Sequence, residues 1–312
     1  MQLIRGIHNI SREQRGCVLT IGNFDGVHLG HQAVLAQVKQ QALARGVAAA
    51  VMTFEPQPQE LFQPEQAPAR LTNFREKHLA LRAQVLDQHI VIEFNRKFAS
   101  LPAREFIEQV LVAQLGVEFL VVGDDFRFGR GREGDFALLQ KAGAELGFEV
   151  VDTHSYRQQQ RRVSSTAIRQ ALSEGDFADA AAMLGRPYAF HGRVVHGEKK
   201  GRTIGFPTAN IQLKRLRSPL QGVFAVTVAT KDGIEHPGVA NIGRRPTLNG
   251  EQVQLEVHLF DFAGDLYGQQ LKVTPTRFIR AEQKFSDFAE LKAQIACDAE
   301  NARGQVTAQT KS

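Results

Sequence analysis

Two histidines three residues apart, His28 and His31, stand in the run Gly22-Asn23-Phe24-Asp25-Gly26-Val27-His28-Leu29-Gly30-His31. The run follows Cys17–Gly22, which reads as a strand, and opens a helical pattern over His31–Arg45. Side chains three apart share a helix face. A helix N-terminus already favours anions through its free N–H groups and its dipole. Two imidazoles there can donate hydrogen bonds to phosphate oxygens, and Gly30 between them admits a nucleotide close to the backbone. The chemistry this suits is charge stabilisation at an α-phosphate while pyrophosphate leaves. A pair of surface histidines beside a Gly-rich turn is the bland alternative. The coincidence of strand, glycines and both histidines favours the phosphate reading.

Three more runs fall at strand ends or helix starts: Thr53-Phe54-Glu55-Pro56-Gln57-Pro58, Gly123-Asp124-Asp125-Phe126-Arg127-Phe128-Gly129, and Ser164-Ser165-Thr166-Ala167-Ile168-Arg169. In the last, hydroxyls serve as caps and anion donors and Arg169 as a counter-charge. Taken singly, the hydroxyls are ordinary N-caps and Phe126 and Phe128 ordinary core residues. Gly129, Gly131 and Gly134 also satisfy G-x-G-x-x-G. A dinucleotide fingerprint starts directly at a strand end, and here Asp124–Phe128 intervene, so the match reads as a decoy.

A second set of residues lies further on. No P-loop motif occurs, so phosphoryl transfer there would need other means. Gly192, Gly197, Gly201 and Gly205 allow close backbone approach, and Lys199, Lys200 and Arg202 add charge. A solvated basic loop is the alternative. In Gly205-Phe206-Pro207-Thr208-Ala209-Asn210, Thr208 and Asn210 point to one side if the stretch is extended. A hydroxyl and an amide oxygen are suitable hard ligands for Mg²⁺ that also holds nucleotide phosphates. Glu256 and His258 fall on one side of the alternating run Val253–Phe260. Glu256 is either a surface acid or a general base.

The elements that must position these groups change character along the chain. Helical patterns at Phe74–Gln88, Pro102–Leu115 and Asp135–Leu146 alternate with apolar runs at Val47–Phe54, His89–Phe94, Phe119–Gly123 and Phe148–Asp152. That alternation predicts a mainly parallel, doubly wound sheet, with ligands beyond the strands' carboxyl ends. Ser164–Ser173 and Phe177–Leu184 read as two short helices. Beyond them Gly192–Val195, Gly222–Thr230, Ile234–Ile242, Val253–Phe260 and Gln270–Phe278 predict a small antiparallel barrel, closed by an amphipathic helix over Asp287–Arg303. Gly185-Arg186-Pro187 reads as the linker, giving domains 1–185 and 186–312.

The chain has 312 residues, 43% hydrophobic and 23% charged, with 38 Lys+Arg against 33 Asp+Glu, a formal charge of +5. Whole-chain disorder, collagen and coiled coil are excluded by this balance. The sequence pI of about 9.3 suits phosphorylated small molecules as well as nucleic acid. No apolar run approaches the roughly 20 residues of a bilayer span, and the N-terminus lacks a signal-peptide core. Cys17 and Cys297, the only cysteines, form no disulfide framework and no zinc spacing. A cytoplasmic, monomeric or weakly oligomeric protein without membrane or nucleic-acid partners is expected.

The four runs of the first half, in this order, resemble the bacterial bifunctional riboflavin kinase/FMN adenylyltransferase (FAD synthetase) family. The histidine run alone is similar to that of nucleotidylyltransferases and class I tRNA synthetases. The second half resembles the same family's kinase domain in Gly-Phe-Pro-Thr-Ala-Asn, Gly238–Gly243 with Arg245-Pro246-Thr247, Glu256-x-His258, Tyr267-Gly268 and Arg280-x-Glu282-x-x-Phe285. The resemblance spans roughly residues 15 to 300. It implies phosphorylation of riboflavin by ATP to FMN, then adenylylation of FMN to FAD with release of pyrophosphate, both with Mg²⁺. It implies a Rossmann-like first domain and a β-barrel second domain. By the same resemblance Gly22, Asn23, His28, Gly30, His31, Asp125, Ser165, Thr166 and Arg169 contact phosphate and nucleotide, while Phe62, Phe126 and Phe128 contact the flavin. Gly197, Lys199 and Arg202 would serve ATP in the kinase domain, and Thr208 and Asn210 its Mg²⁺. Glu256 would be the base, with the flavin ring near Arg280, Glu282 and the last helix. Some relatives carry Asn at position 125 and His at position 57. Another adenylyl acceptor, such as phosphopantetheine or nicotinate mononucleotide, is disfavoured by the β-rich half. An RNA-binding module lacks the Lys-Met-Ser-Lys-Ser loop, a basic tail and interleaved aromatics.

Overall fold

The structure, a computed structural model, describes residues 1–153, 157–158, 161–196, 207–247 and 250–303. The chain forms two compact units, Met1–Pro68 with Lys77–Ser164, and Ala69–Glu76 with Ser165–Ser312.

In the first unit six strands form one sheet: β1 (Gln2–Arg5), β2 (Cys17–Ile21), β3 (Ala48–Glu55), β4 (Gln88–Glu93), β5 (Val117–Val122) and β6 (Glu149–Asp152), in the order β1-β4-β3-β2-β5-β6. Every pairing is parallel. All five residues of β2 are buried, as a strand covered on both faces requires. Its side chains alternate between two cores. Cys17, Leu19 and Ile21 pack on one face with Ile107, Leu111 and Leu139, while Val18 packs on the other with Leu35, Val38 and Leu81. The sheet is therefore doubly wound, as the alternation predicts. Burial pushes the Cys17 thiol up to about 12, so it behaves as a small hydrophobe.

Three of the departures from the sequence expectation have a physical reading. Strand β1 joins the sheet edge beside β4, although only Ile4 of its four residues is buried. So short a pattern carries no readable period. The helix expected over Phe74–Gln88 ends at Arg82, and the chain turns through Val85 with φ 57°. A β-branched residue in left-handed backbone is a stop that propensity does not announce. The helix expected over Pro102–Leu115 widens to π geometry across Phe106–Gln114.

A two-residue pair, β7 (Arg157–Gln158) and β8 (Arg161–Arg162), follows the sheet. In the second unit β9 (Phe190–Val195), β10 (Ala209–Gln212), β11 (Gly222–Ala229), β12 (Glu235–Thr247), β13 (Gly250–Leu259) and β14 (Gln270–Arg280) close into an antiparallel barrel ordered β10-β13-β12-β11-β14-β9. Leu255 and Val257 point into the barrel opposite Ile242 and Ala240. Val223, Ala225, Val239 and Phe260 face outward and pack under Ala299 and Ala302 of the terminal helix, Phe288–Arg303.

Candidate active sites

The turn after β2 is strained and buried. Phe24 and Val27 adopt φ of 46° and 44°, a conformation that costs about 1–3 kcal/mol per non-glycine residue. Both side chains are embedded in the core beneath the helix Leu29–Arg45, which holds them there. The turn delivers His28 to the helix N-cap, where its Nδ1 accepts the His31 backbone N–H at 3.2 Å. A ring nitrogen that accepts carries no proton, so the neutral His28 ring bears its proton on Nε2. His31 stacks on His28 with centroids 3.6 Å apart and planes 16° apart. Burial first, then His28 and the Lys77 charge, hold the His31 imidazole well below its ordinary range. The ring is neutral at pH 7 and can donate from one nitrogen only. The glycine at position 30 has a local cause as well: a Cβ there would meet the His28 ring at 3.1 Å and the Val163 carbonyl at 3.4 Å. Gly22 is half-buried and Asn23 exposed at the mouth of the turn.

Seven phenylalanines link two of the other runs. Phe62 meets Phe94 edge-on at 5.9 Å, and Phe54 meets Phe94 at 5.5 Å. The contacts continue through Phe98, Phe106 and Phe128 to Phe126, stacked on Phe128 at 5.6 Å. Phe62 is 60% exposed, Phe126 half-buried and Phe128 only 8% exposed. The solvent-facing ends of this aromatic row are thus Phe62 and Phe126, with Phe128 packed behind. Asp125 is exposed, and its carboxylate fills the space a Cβ at Gly123 would take, 2.7 Å away.

The glycines of the G-x-G-x-x-G decoy have structural reasons. Phe128 and Gly134 form an antiparallel bridge, and a Cβ on Gly134 would lie 2.6 Å from the Phe128 ring. Gly134→Ala is expected to cost about 1–3 kcal/mol by overpacking, read as a lower Tm. Added NAD should leave that Tm unchanged; a rise would mean that the glycines bind a dinucleotide.

Ser165, Thr166 and Arg169 open the helix Ser165–Ser173 and belong to the second unit, where Arg169 Nε donates to the Ala69 carbonyl at 2.6 Å.

In the barrel, β10 is extended as the Thr208/Asn210 reading requires. Asn210 stands in register with Glu256 of β13, and Glu256 with Asn241 of β12. Three polar side chains therefore lie in one row across three strands, on the outer face. Asn210 Oδ1 accepts from Gln254 Nε2 at 2.7 Å, which orients its amide oxygen. Asn241 Nδ2 donates to Glu282 Oε1 at 3.4 Å, and its buried Oδ1 has no hydrogen-bond partner. The Glu282 carboxylate occupies the place a side chain at Gly243 would need. Arg280 is clamped by the buried Asp298 of the terminal helix, Nε to Oδ1 at 2.9 Å and Nη2 to Oδ2 at 2.7 Å, and lies 5.7 Å from the Phe285 ring centroid. Thr208 borders a cleft of about 360 Å³ lined by Val194, Ala209, Leu259, Phe262, Leu266 and Tyr267, among others. Apolar side chains from Val194, Leu259, Phe262 and Leu266 share its walls with the Thr208 and Tyr267 hydroxyls and the Asp265 carboxylate, a mixture that suits a planar base with polar edges. Gly197, Lys199 and Arg202 lie outside the described residues.

Comparison with known proteins decides the family. Residues 10–167 match the model described as FAD synthetase, and residues 184–306 the model described as riboflavin kinase. The chain is 55% identical over 304 residues to the bifunctional riboflavin kinase/FMN adenylyltransferase of Escherichia coli K12, covering 97% of each. The chain belongs to the bifunctional riboflavin kinase/FMN adenylyltransferase family. The Haemophilus influenzae member is 52% identical over 97% of this chain and 98% of its own length. A crystal structure from Streptococcus pneumoniae, described as a macrolide-efflux protein, superposes with a TM-score of 0.75 at 29% identity, covering 97% of this chain and 99% of that one. Among the described residues no helix is long and apolar enough to cross a membrane.

Within this member of the bifunctional family, sequence reasoning missed Lys77, Phe94, Phe98, Asn241 and Asp298. Asp298 had a signal, an acid on the apolar side of the last helix next to Ala299 and Ala302. Asn241 stands in a quoted run but gains meaning only from the β12–β13 register. Gln57 Nε2 is likewise buried without a hydrogen-bond partner at the start of the aromatic row.

Proposed function

We propose that this chain makes FMN and FAD at two separate sites, one in each compact unit. What carries the reading is that each unit holds its own reactive set: the His28–His31 stack capping a helix in one, and the Asn210–Glu256–Asn241 row in the other. In the barrel, riboflavin's terminal ribityl hydroxyl attacks the γ-phosphorus of ATP, Glu256 takes its proton, and ADP leaves. The flavin ring lies toward Arg280, Glu282 and the terminal helix, and the nucleotide base fills the cleft beside Thr208. The hydroxyl of Thr208 and the oriented amide oxygen of Asn210 are hard donors that fit Mg²⁺, which takes few protein ligands when phosphates supply the rest. Bound there, the ion would offset phosphate charge.

In the sheet unit an FMN phosphate oxygen attacks the α-phosphorus of ATP and pyrophosphate leaves. His28 donates from Nε2 to the phosphate oxygens on which charge grows, His31 donates beside it, and the helix N-terminus adds its dipole. Phe62 and Phe126 offer faces for the isoalloxazine ring. The substrates are small molecules, neither step calls for nucleic acid or membrane, and a cytoplasmic monomer or weak oligomer suffices.

The test is incubation with riboflavin, ATP and Mg²⁺, followed by chromatography of the flavins. FMN should appear first and FAD after it, and unaltered riboflavin would overturn the reading. His28→Ala should slow FAD formation about 10²–10³-fold, the usual loss of a charge-stabilising donor. FMN formation should continue at the parental rate. Equal loss of both would contradict separate sites.

A further inference from the structure

Lys77 is among the largest fully enclosed side chains of the protein, at 1% exposure. Lysines ordinarily lay their stems along a surface and keep the ammonium in water. This one sits in the first turn of the helix Phe74–Arg82, where the dipole disfavours a cation. A methionine would fill the same volume without desolvating a charge. The ammonium bears electrostatically on His31 and on His89. His89 is itself buried, bonded through Nε2 to Thr53 Oγ1 at 2.8 Å and through Nδ1 to His78 Nδ1 at 3.0 Å. His31 Nδ1 is buried with no hydrogen-bond partner. A fully buried lysine thus acts electrostatically on a stacked pair of histidines, one with an unsatisfied ring nitrogen, at the strained turn after β2.

We propose that Lys77 is a positioning residue for adenylyl transfer: its enclosed ammonium backs the His28–His31 stack and supplies the fixed positive charge that the triphosphate meets through those rings. This rests on the reading of the histidine pair as the phosphate contact. Two imidazolium rings 3.6 Å apart would repel each other. With a lysine beside it, His31 resists a second proton, and the stack keeps a defined set of donors. The positive charge then sits on a group held in place by its packing.

The test uses the full chain with FMN, ATP and Mg²⁺. Lys77→Met should lower kcat for FAD formation by about tenfold or more, the order expected for loss of a preorganised charge. FMN formation from riboflavin should change by less than about twofold, since that site is independent. The His31 ring signal, followed by NMR, should titrate at higher pH in Lys77→Met, with burial still holding it below the ordinary range. Lys77→Arg should retain FAD formation and an unshifted His31 titration. An undiminished FAD rate in Lys77→Met, or an unmoved His31 titration, would overturn the proposal. So would parallel loss of both activities with a fall in Tm. If Lys77→Met does not fold, Lys77→Arg decides by the same two readouts. His31→Asn is run alongside: full FAD formation in it would sink the histidine reading itself, whereas its loss with Lys77→Met intact would sink only the lysine's role.

Discussion

Glu256→Gln should slow FMN formation by about 10²–10⁴-fold, the range for loss of a general base, with FAD formation from supplied FMN at the parental rate. The substitution keeps the side chain's shape and its place in the row between Asn210 and Asn241. What it removes is the basic carboxylate able to take the ribityl proton, since an amide oxygen accepts a hydrogen bond but not a proton. The readout is the initial rate of each step by flavin chromatography, with Tm as control. A Glu256→Gln chain that phosphorylates riboflavin at full rate has another base. Loss of the kinase step with unchanged Tm separates chemistry from packing, because the interior of the barrel at this level is Leu255 and Val257, not Glu256.

The parts legible in the sequence are those with a local signature. The parallel sheet was readable because β2, β3 and β5 are apolar runs separated by helical periods, and the nearness of His28 and His31 because they and Gly30 lie within four residues; that the two rings stack is a finding of the structure. The barrel followed from alternation such as Val253–Phe260. Three kinds of fact stayed hidden. Register was one: that Asn241 neighbours Glu256 depends on how β12 pairs with β13. Identity of burial was another. Nothing in Phe74–Arg82 distinguishes Lys77, enclosed, from Arg82, a charged residue of the same helix. Long-range polar pairing was the third, and its largest instance lies in the barrel unit.

That instance joins Glu76 to Arg215, 139 residues apart, at 2.5 Å with both side chains almost fully buried. Burial pushes the Glu76 carboxyl up, and the guanidinium and the backbone N–H groups of His191 and Asn73 offset only part of that. Arg215 also donates to the Arg70 carbonyl at 3.0 Å and to the Tyr188 hydroxyl at 3.1 Å, and Tyr188 donates to the Leu71 carbonyl at 3.0 Å. Asn73 reaches the Leu213 carbonyl at 3.3 Å, and its cap pairs with Glu76 in both directions. The segment Ala69–Glu76 is thus built into the barrel unit although it comes from the first quarter of the chain.

A piece comprising residues 186–312, which the linker reading treats as a self-contained kinase, would keep Arg215 and lose its carboxylate. Removing one partner of a buried pair costs about 3–5 kcal/mol, because the other charge stays behind unpaired. That is much of the stability of a small domain, typically about 5–15 kcal/mol in total. The piece would also lose the helices Ser165–Ser173 and Phe177–Leu184, including the Phe177 ring that meets Phe224 at 6.2 Å. It is therefore expected to show no cooperative melt and no FMN formation, while residues 69–76 joined by a flexible linker to 165–312 should recover both. In the full chain, Glu76→Gln should lower the Tm of the barrel unit. Pairing Glu76→Leu with Arg215→Met should restore only part of the loss: it removes both buried charges, but leaves the N–H groups of His191 and Asn73 without the carboxylate that accepts them. A fully active 186–312 piece would show that the clasp around Ala69–Glu76 is dispensable, and that Arg215 finds its compensation within the barrel itself.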